Sequence, residues 1–404
     1  IICTLLTHLT TIESEIEFWK ALSKEHDLKL SDFLTLSKRR VHSKIELADG
    51  IKLTLLNHKC DTLKGFAVEI TKTANEVASN ALADINVYDF YHMVLKSSEE
   101  EGIWEAQTLF RIHNIFQELE SQKLALESEN RRVLNENISL LRGLMGKEKL
   151  ETTNISWEIR RKELFYDESL NKLNLPLQNG DIFRFEQNSK YYILLTQPCD
   201  LMIRKSGNRK QKVGILAEIV YETPKETEKD SYKPIPYFNS GTKSSAFVKF
   251  KETISIDLDI LDLSIYNDNG AAIFNSGIDL SIYHNPLQKR FVIIKEKMEQ
   301  KKLKCAELKD IVEKSDIDTP KKAELIDAVL FQAFNVDKNL INVEFKESEI
   351  VFNIVRKGTY RNPFSDLLLD DYSYYLSRTG AEHDFSMVEV ENTVPKKELV
   401  TVSN

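Results

Sequence analysis

Proline marks where a chain cannot run as uninterrupted helix, because its ring blocks an intrahelical hydrogen bond and clashes with the preceding turn. All nine prolines of this 404-residue chain fall at Pro176 or later, so residues 1 to 175 contain none. That half reads as successive helices. Ile12, Ile16, Trp19 and Leu22 recur at steps of four, three and three, one buried helical stripe, and further stripes run through residues 30 to 47 and 66 to 96. After Pro176 the pattern changes to short β-branched and aromatic runs: Phe183 and Phe185, then residues 191 to 196, 213 to 220, 246 to 250, 291 to 294 and 350 to 355. Helices return late. Thr319 before Pro320 reads as an N-cap with proline at the first helical position, opening a helix to about Asn335, and Asn362-Pro363 repeats that signature. The expectation is an α+β multidomain chain: an all-α N-terminal half with a long coiled-coil helix, and a β-rich α+β C-terminal half. Its divisions are a helical domain over 1–108, a coiled-coil helix over 109–150, a connecting segment over 151–176 and an α+β domain over 177–404.

The heptad is the sharpest pattern. With Leu109 at position a, the d residues are Ile112, Leu119, Leu126, Val133 and Leu140, all apolar. The a row is Leu109, Phe116, Lys123, Asn130, Asn137 and Leu144. Apolar d residues with Asn at a specify a two-stranded coiled coil, because paired Asn side chains are satisfied in only one register. Ile112, Phe116, Leu119, Leu126, Asn130, Val133, Asn137 and Leu140 are therefore the expected homodimer seam. An intramolecular helical hairpin and a solvated linker helix are the competing readings.

A net charge of −8 argues against coating nucleic acid or an anionic membrane, while leaving room for a local basic patch. One patch stands out. Arg204, Lys205, Arg209, Lys210 and Lys212 place five cations and no acid in nine residues, in a loop between two strands. Gly207 and Asn208 permit a turn there. The loop suits phosphate groups, an acidic protein surface or plain solvation. No aromatic residue is interleaved in it, so stacking on single strands is unsupported. Cys3, Cys60, Cys199 and Cys305 lie far apart without a C-x-x-C pair, which fits reduced thiols in the cytoplasm. No apolar run reaches the 18 residues of a membrane span.

Catalytic and metal motifs fail on inspection, so no catalytic residue, metal or cofactor is expected. NSGTKSS (239–245) lacks the adjacent Gly-Lys of a phosphate-binding loop and precedes a strand, not a helix. His58, Cys60 and Asp61 have no second ligand cluster at metal spacing. Cys199 beside Asp200 has no local His to act as base. Glu344-x-Lys346 and His383-Asp384 are half-motifs of the kind chance supplies at this charge content.

Two stretches carry a resemblance. TQPCDL (196–201) after GDIF (180–183), and RKGTYRNPFSDLLLDDYSYYLSRTGAEHDFS (356–386), are similar to segments of uncharacterised bacterial response-receiver-associated proteins found beside histidine-kinase-type ATPases in phage-defence loci. NVYDFYHMVLKSSEEEGIWEAQTLFRI (86–112) also resembles them. The resemblance implies a signalling or defence setting and a histidine-kinase-type ATPase as partner, without supplying a reaction. A receiver domain, if it accompanies this chain, is expected before Ile1. The same stretches suggest two polar constellations, Gln197, Cys199 and Asp200 with Arg204, and Arg378, His383 and Asp384. Buried structural networks are the ordinary explanation of such groups. The resulting expectation is a cytoplasmic, non-enzymatic signalling or scaffold protein that dimerises and engages a partner. The alternative is a nucleic-acid-binding effector using loop 204–212.

Overall fold

The structure is a computed structural model that describes residues 3–7, 33–37, 44–96, 99–100, 104–145, 153–225, 230–238, 245–337, 339–346 and 349–377. The stripe Ile12 to Leu22, the segment 239–244 and the constellation Arg378, His383 and Asp384 lie outside the described residues. Backbone contacts divide the chain into two units, each interleaved in sequence. One comprises Ile1–Trp157, Met202–Lys210 and Gly277–Lys302; the other comprises Glu158–Leu201, Gln211–Ser276 and Leu303–Asn404.

In the first unit, strands β1 (Cys3–Thr7) and β2 (Phe33–Ser37) form a parallel pair, Cys3 opposite Phe33 through Thr7 opposite Ser37. The N-terminal half is therefore not all-α. Five-residue apolar runs such as CTLLT and FLTLS have too few residues for their period to separate strand from helix. Helix α1 (Lys44–Ala83) then packs on α2 (Glu105–Leu126) and α3 (Ser128–Met145). Ala74 and Ala78, one turn apart on α1, are fully buried, small enough to let a second backbone approach. Ser79 on α1 lies 3.4 Å from His113 on α2, so the chain doubles back on itself.

The expected unbroken heptad helix is two helices, parted at Glu127, whose ψ of 141° is extended. The seam also differs from the heptad. On α2 the buried residues are Thr108 and Ile112, and Phe116, Glu120 and Leu124 follow half-buried at steps of four, so the inward row leaves the d positions after Ile112. A straight helix drifts about 20° per heptad from a strict 3.5 repeat. Leu119 and Leu126 consequently stand 59% and 61% exposed, and Leu140 on α3 50%. Asn130 and Asn137 find partners within the chain: their Nδ2 groups donate to the carbonyls of Leu124 and Val133, each at 2.8 Å.

The second unit is built on a nine-stranded antiparallel sheet with the path β10-β11-β4-β5-β6-β8-β7. Its strands are β3 (Phe165–Tyr166), β4 (Asp181–Phe185), β5 (Lys190–Leu194), β6 (Val213–Val220), β7 (Tyr232–Ile235), β8 (Ala246–Asp257), β9 (Ala271–Asn275), β10 (Val343–Phe345) and β11 (Glu349–Tyr360). Strand β11 pairs with four others, β3, β4, β9 and β10. One face of the sheet buries Ile182, Ile193, Ala217, Ile219 and Val248 against Leu164 and Phe165 and against Leu368 and Tyr372 of a C-terminal helix, Phe364–Leu376. Residues 158–176 thus belong to this unit: helix α4 (Asn154–Leu164) leads directly into β3. After β9 comes α5 (Asn285–Lys314), whose residues up to Lys302 belong to the first unit, and then α6 (Thr319–Phe334) in the second. The 291–294 run expected as a strand lies inside α5, where Leu287, Phe291, Ile294 and Met298 make a fully buried helical stripe. Helix α6 ends at Asn335 in the left-handed conformation, where the proline signature placed its end, while its N-cap is Asp318, one residue earlier than expected.

The opposite face holds an ion pair. Along β11, Ile350, Phe352, Ile354 and Arg356 alternate into the core, and Arg356 is fully buried. Its guanidinium meets the equally buried Asp181 carboxylate at 2.7 Å and donates to the carbonyls of Leu175 (2.6 Å) and Pro176 (3.2 Å). Asp181 also accepts from the Thr359 hydroxyl and the Gln178 amide. Removing one partner of such a pair leaves an uncompensated charge in the interior, at a cost of about 3–5 kcal/mol, whereas replacing both with apolar groups costs less. Asp181→Ala should therefore lower unfolding stability in guanidinium titrations by about 3–5 kcal/mol. The double change Asp181→Leu/Arg356→Leu should cost less than that single change.

Candidate cationic surface

Residues 202–210 form a tight turn in the first unit. Ile203 is buried, the Gly207 amide donates to the Arg204 carbonyl (2.7 Å), and the Arg204 amide donates to the Asn208 carbonyl (2.9 Å). Gly207 has φ +82°, and a Cβ there would stand 2.7 Å from the backbone nitrogen of Arg290 and the carbonyl carbon of Lys289. Glycine thus serves twice, giving a left-handed backbone and contact with the first turns of α5. Lys289 Nζ donates to the carbonyl of Lys205 at 3.1 Å, fixing the turn to that helix.

This packing joins two basic segments. Residues 202–210 carry Arg204, Lys205, Arg209 and Lys210 with no acid, and 277–302 carry six Lys and Arg against Asp279, Glu296 and Glu299. Ten cations against three acids is a strong excess in the composition of these two segments, in a chain of net charge −8, although Arg290 is buried. Lys205 also pairs with Glu99, whose carboxylate raises the ammonium pKa above its ordinary value and keeps it charged. His284, just before α5, adds no charge at neutral pH: burial pushes its imidazole below the usual value, with Glu105 pulling weakly the other way.

Of the five cations expected in one loop, four belong to this turn. Lys212 groups with the sheet unit, where its carbonyl accepts the Leu258 amide at 2.9 Å. Arg204, Lys205 and Lys210 are exposed and Arg209 is half-buried. Lys289, Arg290, Lys295, Lys297, Lys301 and Lys302 went unanticipated because residues 291–294 read as strand. Their high Lys and Arg content was nonetheless visible in the sequence.

Gln197, Cys199 and Asp200 do come together, but at the surface. They form one helical turn, Pro198–Leu201, in which the Gln197 carbonyl accepts the Asp200 amide at 2.9 Å. The Cys199 thiol lies 3.8 Å from Gln197 Oε1 and 3.8 Å from Asp200 Oδ1, long contacts between exposed or half-exposed groups. A buried network is therefore not what these three residues build. His58, Cys60 and Asp61 lie along α1, where Asp61 pairs with Lys64 at 3.0 Å. Among the described residues no three His, Cys, Asp or Glu side chains converge as metal ligands, and no helix is long and apolar enough to cross a membrane.

No family model, curated protein or solved structure matches this chain.

The turn's attachment to α5 depends on Gly207. Gly207→Ala should displace it and loosen its backbone, so that trypsin can seat the chain at Arg204, Lys205, Arg209 and Lys210. The expected result is cleavage within 204–210 several-fold faster than in wild type under native conditions; unchanged cleavage would show that the close approach is not needed.

Proposed function

We propose that this chain is a binding component of a bacterial signalling or defence assembly, a scaffold that docks the phosphate backbone of nucleic acid on the surface formed by 202–210 and the first half of α5. The observation that carries the reading is the junction at Gly207, which packs the turn bearing Arg204, Lys205, Arg209 and Lys210 against the first turns of α5, beside the exposed Lys289. Cations at a phosphate backbone release condensed counterions, a sequence-independent source of affinity. The turn offers backbone contacts and no base-reading aromatics, so the expected preference is for charge and shape over sequence. A histidine-kinase-type ATPase is the protein partner that fits the resemblance, and the cytoplasm the compartment.

The test is fluorescence anisotropy with short labelled DNA and RNA duplexes across a salt series. Affinity should fall linearly on logarithmic axes, and Arg209→Ala/Lys210→Ala should shallow the slope by up to about 2, about 1 for each lost phosphate contact. Absence of binding at low salt would overturn the nucleic-acid reading in favour of an acidic protein partner.

A second reading concerns assembly, and one observation favours it. Leu119, Leu126 and Leu140 remain 50–61% exposed after α2 and α3 have packed on α1. We propose that this row pairs with its copy in a homodimer. Light scattering should return twice the chain mass for wild type and one chain mass for Leu119→Glu/Leu126→Glu. A wild-type monomer would remove the dimer reading.

A further inference from the structure

Strand β11 has one irregularity where it meets β4. Arg356 faces Phe183 and Gly358 faces Ile182, which leaves Lys357 as an extra residue outside the register. A bulge of this kind bends its strand and re-aims a side chain, and bulges concentrate beside functional sites. Here it borders a cavity of about 330 Å³ within the sheet unit, lined in part by Arg161, Arg184, Lys357, Tyr166, Tyr191 and Phe238. That volume lies at the lower end of the range for small-molecule sites.

The lining follows from strand alternation. Asp181, Phe183 and Phe185 share one face of β4, and Ile182 and Arg184 share the other. Arg184 stands opposite Tyr191 of β5, which sets a cation beside a ring in the cavity wall. Strand β3 supplies another part of the wall, with Tyr166 paired to Thr359 and Phe165 to Tyr360. Gly358 permits that crossing: its φ is +153°, and a Cβ there would lie 2.4 Å from the Tyr166 carbonyl oxygen.

Charge and ring surface coincide in this cavity. Its lining holds three cations, Arg161, Arg184 and Lys357, against one carboxylate, Glu168. Arg161 is anchored, donating to the carbonyls of Tyr237 and Phe238 with its guanidinium 5.3 Å from the Phe165 ring centre. The other two have looser partners. Arg184 lies 3.6 Å from Glu186 and Lys357 3.1 Å from Glu168, and each carboxylate is more exposed than its cation. Solvated pairs of this type contribute little stability, so a second anion can displace the carboxylates. The Tyr166 ring is half exposed, with the Arg361 guanidinium 4.4 Å from its centre. A flat heterocycle would stack on the face of the Tyr166 ring that Arg361 does not cover, at about 1–3 kcal/mol per base.

We propose that this cavity binds a small phosphate-bearing molecule with a planar ring, of the nucleoside monophosphate class. Arg184 and Lys357 take the phosphate, and Tyr166 and Tyr191 hold the ring. The site is separate in residues and in fold unit from the surface around Gly207, and it does not depend on the duplex-binding reading.

The test is isothermal titration of the full chain with AMP, adenosine and inorganic phosphate. AMP should saturate one site, and adenosine and phosphate should each bind at least about tenfold more weakly, a loss of 1.4 kcal/mol or more. Arg184→Gln/Lys357→Gln should weaken AMP binding at least tenfold. Glu168→Gln/Glu186→Gln, at exposed carboxylates where folding is not at risk, should tighten it several-fold by removing the competing anions. This second pair keeps the test decisive where the cation variant fails to fold. Arg209→Ala/Lys210→Ala should leave AMP affinity unchanged. The proposal is overturned by no AMP binding at about 1 mM, by an unaltered affinity in the Glu168/Glu186 variant, by phosphate binding as tightly as AMP, or by loss of binding in the Arg209/Lys210 variant.

Discussion

A fully buried arginine in the core row of β11 organises the sheet unit. Arg356 occupies a position that the alternation of Ile350, Phe352 and Ile354 reserves for an apolar side chain. An unpaired guanidinium there would be prohibitive. The fold answers with Asp181 at the start of β4 and with the carbonyls of Leu175 and Pro176, so the segment before β4 must lie against β11. The backbone is drawn in as well: the Arg356 amide donates to Gly270, and its carbonyl accepts from the fully buried Asn171. One side chain therefore fixes the relation of three stretches far apart in sequence. A pair of this kind adds little net stability over an apolar core, while loss of either partner leaves the other charge buried and uncompensated.

The helical unit rests on a different constraint, the mismatch between 3.5 and 3.6. A heptad pattern specifies its seam only if the helix supercoils, and α2 packs on α1 without keeping the 3.5 repeat. The inward row drifts from the d positions, and the break at Glu127 restarts the pattern in α3. The Asn130 and Asn137 amides, expected to pair across a dimer, donate to carbonyls of their own chain.

The antiparallel core was legible because β-branched and aromatic runs with turn residues between them have few other uses. Residues 191–196 and 213–220 do pair as β5 and β6, with Tyr191 opposite Ile219. What failed were short apolar runs read without their surroundings. Phe291 to Ile294 looks like a strand until Leu287 and Met298 are counted with it, when the period becomes helical. The strands at Cys3–Thr7 and Phe33–Ser37 were hidden for the converse reason, since each is only five residues long. The basic loop was visible as composition, but its second half on α5 was not, because the contact at Gly207 joins residues about eighty positions apart. The cavity beside Lys357 was invisible altogether. A β-bulge is a property of register, and no local residue pattern announces one.

Net charge is an average over two unlike units. At physiological salt the Debye length is about 8 Å, so a phosphate resting on the turn at Gly207 feels the cations it touches and little beyond them. The acids of this chain are concentrated elsewhere: the sheet unit, as divided by its contacts, carries ten more Asp and Glu than Lys and Arg, while the helical unit has a small positive excess. A chain-wide value of −8 averages over that segregation and describes neither unit. The relevant quantity is charge within a screening length of the bound group. The segments 202–210 and 277–302 are basic in composition although the protein is acidic.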